Sequence, residues 1–525
     1  MLLNSLNIHN FLGHGDNWYH YYVCGIISIM DILKKKKFFY LFLTINALCW
    51  SFVQLFRNVI SIDSMEAISW GELIDFGTNK HPPLSGWLMG GFYNLFGQSD
   101  VVAYFLGQAC IFIGFIFLYK LAKFFMEEEK AMCASMILAS CYYYTYIVFI
   151  DNFNCNFLSM ALWPMIAYYF YKSVKNGKII DWCLFGIVSA LGVLCKYQVI
   201  FLFFALFLYL VICDRKQFRQ KGMYISVLIG LLIITPHILY LVNTDYFSFI
   251  YMAGRTEIGS HNTPTFLLPF GRIVFPLKFL LDQVCSVAAC IIVYLLLGLQ
   301  TKQIKLNKDC KTPESIYILL LTFAPILTQG CMAAIENNRI MGIWGSMMVA
   351  FVGIFMFHFF PVKFNEKTFN YFLKWAYSLM AGWLIAMIIF SQLQVKRTLS
   401  YPYQKIMPEF NKIWDSNTGN SQFKYVYGHI DYVFQFHVYN DRHPKAILET
   451  FGYRNPWIDK EDVKKSGLII VGKDKKDLKR YVKQMNVLLQ RDYNKKPIEY
   501  GFNVTNKIGK TKKYKFYYTV IAPER

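Results

Sequence analysis

Apolar runs close to membrane-spanning length, parted by short basic breaks, limit this chain more than any other feature. A helix needs about 20 mostly apolar residues to cross the hydrocarbon core. About eleven stretches approach that length: 38–57, 100–120, 131–150, 157–172, 181–196, 198–213, 223–243, 274–299, 315–334, 341–360 and 371–392. The fifth and sixth read equally as a hairpin or as one long helix. Composition agrees: 55% of the residues are hydrophobic and only 17% charged, against roughly a quarter charged in a soluble domain. The fold class expected is a polytopic α-helical membrane protein.

Charge tests the count. Lys34–Lys37 precede the first run, and if they are cytoplasmic, alternate loops should also be basic. The breaks at Lys120/Lys123/Lys130, Lys172/Lys175/Lys178, Arg215/Lys216/Arg219/Lys221, Lys302/Lys305/Lys308/Lys311 and Lys363/Lys367 all obey that alternation. The other set, 58–99, 151–156, the 196–198 tip, 244–273, 335–340 and everything after 393, then lies outside. Lys and Arg number 54 and Asp and Glu 33, a surplus of +21. In a soluble chain that surplus would suggest nucleic acid; basic cytoplasmic loops explain it here, and no nucleic-acid partner is called for.

All 13 cysteines lie at or before Cys331, most within apolar runs, and read as small buried hydrophobes. No pair or Cys/His cluster has zinc-site spacing. The stretch Tyr21–Met30 is too short for a signal peptide, so residues 1–37 read as a cytoplasmic segment whose first 29 residues are an extension. Residues 38–392 form the transmembrane part. From 393 to 525 the composition becomes mixed and Cys-free, long enough for a small domain. Tyr425–Tyr427, Leu468–Val471 and Tyr514–Ile521 read as strands and Lys475–Tyr493 as an amphipathic helix, giving an α/β domain outside the membrane.

The outer loop 58–99 carries most of the chemistry. A helix over Met65–Phe76 lying on the membrane surface would place Asp63 and Glu66, at i,i+3, on one side. Asp63 would serve as a general base, with Lys80 and His81 donating to a phosphate; a solvated helix stopped by Pro82-Pro83 is the plain alternative. The next outer loop packs Asp151, Asn152, Asn154 and Asn156 into six residues. Turn and cap preferences explain one or two of these but not all four. Lys196, beside Tyr197 in a long apolar stretch, must snorkel or bind an anion. His237, Arg255, Arg272 and Arg339 complete a basic outer face suited to a phosphate-bearing ligand.

Asp63, then His81-Pro82-Pro83-Leu84 and Trp87, resembles the first-loop signature of the integral-membrane GT-C glycosyltransferases. More narrowly, the chain is similar to bacterial members of the protein O-mannosyltransferase-like and aminoarabinose (lipid A) transferase-like family. Phe153-Asn154-Cys155-Asn156 with Leu162-Trp163-Pro164, Gly192 to Lys196-Tyr197, Thr235-Pro236-His237, Tyr427-Gly428 and Tyr439 to Pro444 extend the likeness over about residues 38–450. Relatives have Asp-Glu where this chain has Asp63-Ser64, which removes the second acid from its usual place. Glu66, one turn along, is our candidate replacement.

The resemblance implies a GT-C fold of about eleven transmembrane helices and an inverting transfer of one sugar. The donor would be a polyprenyl-phosphate-linked sugar and the acceptor a lipid, glycan or protein, among membrane lipids on the outer side of a bacterial inner membrane. No motif requires a cofactor; a divalent metal is compatible with the carboxylates without being called for. The competing reading is a transporter or flippase of a lipid-linked sugar, which would use the same basic groups without Asp63 chemistry.

Overall fold

The computed structural model describes residues 15–55, 57–256, 269–301, 310–393, 401–449, 455, 458–493, 496–505 and 509–524. Lys302, Lys305 and Lys308 fall outside them, as does the side chain of Arg255. The helices of the first part are α1 Gly15–Gln54, α2 Ile62–Leu73, α3 Leu84–Leu95, α4 Asp100–Ala122, α5 Glu128–Met136, α6 Tyr146–Asp151, α7 Cys155–Asn176, α8 Ile179–Cys195, α9 Val199–Cys213 and α10 Lys221–Asn243. They continue as α11 Phe247–Thr256, α12 Gly271–Ser286, α13 Ala288–Thr301, α14 Pro313–Glu336, α15 Val352–Phe359 and α16 Glu366–Leu393.

All of the apolar runs carry helix, but they are not equal spans. Among the described residues four helices, α4, α10, α14 and α16, are long and apolar enough to cross a membrane, and two bent pairs would bring the number to six. One pair breaks around Cys141 and the other, α12 and α13, bends by 45°. α8 and α9 are shorter apolar helices parted at Lys196, which favours the hairpin over one long helix. α1 runs unbroken through Lys34–Lys37 and so starts before the basic flank rather than after it.

The outer part adds α17 Tyr403–Thr418, β1 Tyr425–Gly428, α18 Ile430–Tyr439, β2 Lys445–Leu448, α19 Lys460–Ser466, β3 Leu468–Gly472, α20 Lys475–Leu489, β4 Ile498–Thr505 and β5 Thr511–Ile521. The five strands lie in the order β2-β1-β3-β5-β4, with β1 parallel to β2 and β3 and the β4–β5 hairpin antiparallel at one edge. Sequence reading found three of these strands; β2 is only four residues long, and β4, mostly exposed, was missed despite its alternation of Ile498, Tyr500, Phe502 and Val504.

Outer and membrane parts share one core. Val426, Val471, Phe516 and Tyr518 belong to the same buried cluster as Met65, Phe157 and Leu202. Polar ties fix the junction: the Tyr439 hydroxyl lies 2.9 Å from the Asp100 carboxylate and accepts from the Ile60 amide at 2.8 Å. His437 Nε2 stands 3.4 Å from Glu72 Oε1. Burial would raise the pKa of Glu72, but His437, with His443 and Lys445, holds it below the ordinary carboxylate value.

Candidate active site

Helix α2 begins at Ile62, three residues earlier than its sequence pattern suggests, because the Ser61 hydroxyl accepts from the Ser64 amide as an N-cap. It ends at Ile74, which adopts a left-handed conformation. The earlier start puts Asp63 in the first turn, where the helix dipole favours a carboxylate. Gly71 lets α2 lie directly on α3: a Cβ there would stand 2.4 Å from Gly90 Cα and 2.5 Å from the Gly86 oxygen.

Lys80 is presented by a turn built on Thr78. The Thr78 hydroxyl accepts from the amides of Lys80 at 3.1 Å and His81 at 2.8 Å, and donates to the His81 carbonyl. Held this way, Lys80 Nζ reaches Asp63 Oδ1 at 3.0 Å and Glu66 Oε2 at 2.7 Å. The i,i+3 spacing does bring both carboxylates to one side, and they converge on one ammonium. That ammonium fills the place between them that a metal would need, and among the described residues no group of three or more His, Cys, Asp or Glu is arranged to hold one. These residues do not fit a divalent metal.

The 151–156 loop divides its labour. Asn152, at φ 53°, is a turn residue whose side chain accepts from the Ser61 amide at 2.6 Å. Asn154 caps α7 through the Asn156 amide at 2.8 Å, and its Nδ2 donates to Asp63 Oδ2 at 3.3 Å. Asn156 Oδ1 accepts from Lys196 Nζ. The turn-and-cap explanation therefore covers Asn152 and half of Asn154, and the remaining contacts hold the charged groups in place.

These residues line one cavity of about 630 Å3, whose walls include Asp63, Glu66, Lys80, His81, Asp151 and Asn154. Asn156, Lys196 and Tyr197 complete this set. Lys196 is 7% exposed and has no carboxylate within ion-pair distance among the described residues, so it does not snorkel to water. Burial lowers its pKa. For Lys80 burial acts in the same direction but is outweighed by Asp63 and Glu66, and the pKa stands well above the ordinary lysine value. Asp63 keeps 42% of its side-chain surface, open to the cavity. Enclosure would raise its pKa, yet the Lys80 ammonium beside it holds it low, so it is a carboxylate at neutral pH. Burial and the two nearby lysines push His81 well below the ordinary value, so it is neutral and can donate a hydrogen bond without adding charge.

His237 does not line the cavity. Its Nδ1 donates to the Phe76 carbonyl at 2.7 Å, which leaves Nε2 to accept from the Tyr197 hydroxyl at 2.8 Å, so it orients Tyr197 from behind. Arg272 and Arg339 are a correction, and the side chain of Arg255 lies outside the described residues. Arg272 is exposed on the first turn of α12, and Arg339 is flanked by the lining residues Asn338 and Ile340 without lining the cavity itself. Arg255 sits near the end of α11. Among the described residues the cavity's two cations are both lysines, because α14 and residues 340–344 contribute mainly Met, Ala, Ile and Trp side chains to its wall. Sequence reasoning missed Tyr251, Gln329 and Glu336 in the lining. Gln329 was detectable as a polar residue inside an apolar run; Tyr251 and Glu336 had no such signal.

Comparison with known proteins follows this geometry. The family model for dolichyl-phosphate-mannose-protein mannosyltransferases matches residues 80–240, a segment that holds Lys80, the 151–156 loop, Lys196 and His237. No curated protein matches the chain by sequence. The crystal structure of ArnT from Cupriavidus metallidurans bound to undecaprenyl phosphate is similar at a TM-score of 0.60 and 11% identity, covering 91% of this chain and 97% of that one. The apo form of the same protein is similar at a TM-score of 0.51 and 13% identity, over the same shares of both chains. The chain thus has the fold of ArnT, the GT-C fold, and over residues 80–240 it is similar to the dolichyl-phosphate-mannose-protein mannosyltransferases.

Proposed function

We propose that this protein is a glycosyltransferase that moves a single sugar from a polyprenyl-phosphate donor to a lipid, glycan or protein acceptor on the outer side of a bacterial inner membrane. One observation carries the reading: Lys196 is buried at the cavity wall without a counter-ion among the described residues, beside a second ammonium, Lys80, and a neutral imidazole, His81. A buried unpaired charge is costly and is retained where a ligand supplies the opposite sign. The cavity volume is in the range of small-ligand pockets and holds a sugar with its phosphate. ArnT of Cupriavidus metallidurans, which shares the fold, was crystallised with undecaprenyl phosphate bound.

In this reading Lys196, Lys80 and His81 receive the donor phosphate, and residues 393–525 form the outer α/β domain. The acceptor oxygen bonds to the anomeric carbon while the carbon–oxygen bond to phosphate breaks, and its electrons leave with polyprenyl phosphate. Asp63 takes the hydroxyl proton. Its depressed pKa makes it a modest base that is ionised and ready to accept the proton, and the polyprenyl phosphate leaves without needing protonation. The lysines stabilise charge on the departing phosphate, and one displacement inverts the anomeric centre. Glu66 shares Lys80 with Asp63 and keeps it charged.

The test is transfer by purified wild-type and Asp63→Asn protein in nanodiscs, given radiolabelled polyprenyl-phosphate sugars and extracted envelope acceptors. Label passing to an acceptor with the wild type only supports the transferase. Donor binding by both proteins with consumption by neither supports a carrier of lipid-linked sugar.

A further inference from the structure

Basic cytoplasmic loops do not account for the whole charge of this chain. Residues 473–525 carry 15 Lys and Arg against 5 Asp and Glu, a surplus of ten, whereas residues 401–472 carry 9 against 8. Nearly half of the net +21 is thus concentrated in one short stretch, which folds as α20 and the β4–β5 hairpin.

The fold sorts these charges onto one side. One face of the outer sheet, with Val426, Val471, Phe516 and Tyr518, joins the core that continues into the membrane helices. The opposite face, with Tyr427, Ile470, Tyr517 and Ile521, is covered by Leu478, Tyr481 and Met485 of α20. α20 therefore lies on the side of the sheet turned away from the membrane helices. Its outer surface exposes Lys475, Lys476, Lys479 and Lys483, and beside it the same sheet face continues onto the uncovered hairpin. There Lys513 stands opposite Asn503 and Lys515 opposite Gly501. Lys475 and Lys515 meet over the Tyr517 ring, 5.8 and 5.7 Å from its centre. Glu499 pairs with Lys515 at 3.0 Å, but Lys475, Lys476, Lys479 and Lys513 have no ion pair among the described residues.

We propose that this shelf is a docking surface for an anionic glycan chain of the cell envelope, held apart from the catalytic cavity. The inference rests on the outward placement of the domain in the reading above. Charge complementarity selects a polyanion. The orientation excludes the headgroups of the protein's own bilayer, because the shelf is on the far side of the sheet. A protein partner would need an apolar centre to its interface. The shelf offers Gly501, Asn503 and lysine instead, and in the outer domain only Val487 and Ile498 are large exposed apolar residues among those described. A flat, polar, cationic strip suits a hydrated polymer whose charges repeat along its length.

The experiment measures binding by the full-length protein in phosphatidylcholine nanodiscs at low salt. The probes are fluorescent polygalacturonate, neutral dextran and poly-glutamate, compared with the variant Lys475→Gln/Lys476→Gln/Lys479→Gln/Lys513→Gln. All four positions are exposed, and unchanged binding of undecaprenyl phosphate checks that the variant is folded with its cavity intact. Expected is binding of polygalacturonate but not dextran, about tenfold weaker in the variant, since each exposed charge contributes little alone. Equal affinity in wild type and variant, no wild-type binding, or poly-glutamate bound as tightly as the glycan would each overturn the proposal, the last in favour of an acidic protein partner. Because no turnover is read, failure here and failure of the transferase reading are separate results.

Discussion

Replacing Lys196 by methionine separates a ligand-binding lysine from a structural one. The side chain is 7% exposed, hydrogen-bonds Asn156 and has no carboxylate partner among the described residues, so the ligand-free protein bears the cost of desolvating its charge. Methionine keeps the apolar stem and removes that cost, so thermal stability without donor should hold or rise by about 1 kcal/mol. Donor binding should move the other way. A phosphate about 4 Å from the ammonium gains roughly 4 kcal/mol at an effective dielectric of 20. Part of this is offset by desolvating the phosphate, so a loss of about 2–3 kcal/mol, some 30- to 150-fold in Kd, is expected. The assays are calorimetric titration of nanodisc protein with undecaprenyl phosphate and a melting curve without ligand. The pH dependence adds a signature. The folded pKa is depressed, so below it the lysine is charged in both states and the cost is fully present. As pH rises toward the unfolded value of 10.5 the unfolded chain binds more protons and the cost disappears, so the stability gain of Lys196→Met should shrink with rising pH. A variant that melts more than 2 kcal/mol lower and binds the donor unchanged would refute the argument and make Lys196 a tether for the 151–156 loop.

Three further outcomes follow from the geometry. Asp63→Asn should lower turnover by about 10²–10⁴-fold while donor affinity changes little, read by single-turnover transfer against donor titration; equal losses in both would make Asp63 a binding group. Glu66→Gln leaves Lys80 without its more deeply buried partner and should cost about 3–5 kcal/mol, partly restored by adding Lys80→Met, as a melting-temperature double-mutant cycle would show. Gly71→Ala drives a methyl group into the Gly90 and Gly86 backbones and should destabilise by about 1–3 kcal/mol and impair transfer by displacing α2, while Gly91→Ala, which meets nothing within 4 Å, should be silent.

Much of the site was readable because its chemistry sits in short segments with strong local rules. Asp63 and Glu66 share a side through helical spacing, the Pro pair after Lys80-His81 leads into α3 with Pro83 as its N-cap, and a buried lysine between apolar runs needs a partner whatever the fold. Arg272 and Arg339 do not reach the cavity lining, and their loop positions could not show this, because a loop position says nothing about direction. Arg272 occupies an exposed first turn, and side-chain direction is set by the helix axis, which the sequence does not record. The breaks within the apolar runs were likewise not legible, since an apolar run is the same string whether it forms a straight span or a pair of helices bent by 45°.

By itself the sequence determined a membrane-embedded helical protein with a C-terminal α/β domain, because apolar length and composition are sums over residues that need no contacts. The tertiary structure alone decided that one ammonium is shared by two carboxylates, that a second has no counter-ion among the described residues, and that Tyr251, Gln329 and Glu336 line the same cavity. It also decided that the basic charge of the last fifty residues gathers on the face of the sheet away from the membrane helices. Each of these depends on the separation of groups far apart in sequence, and electrostatic energy varies with that distance and with burial rather than with composition.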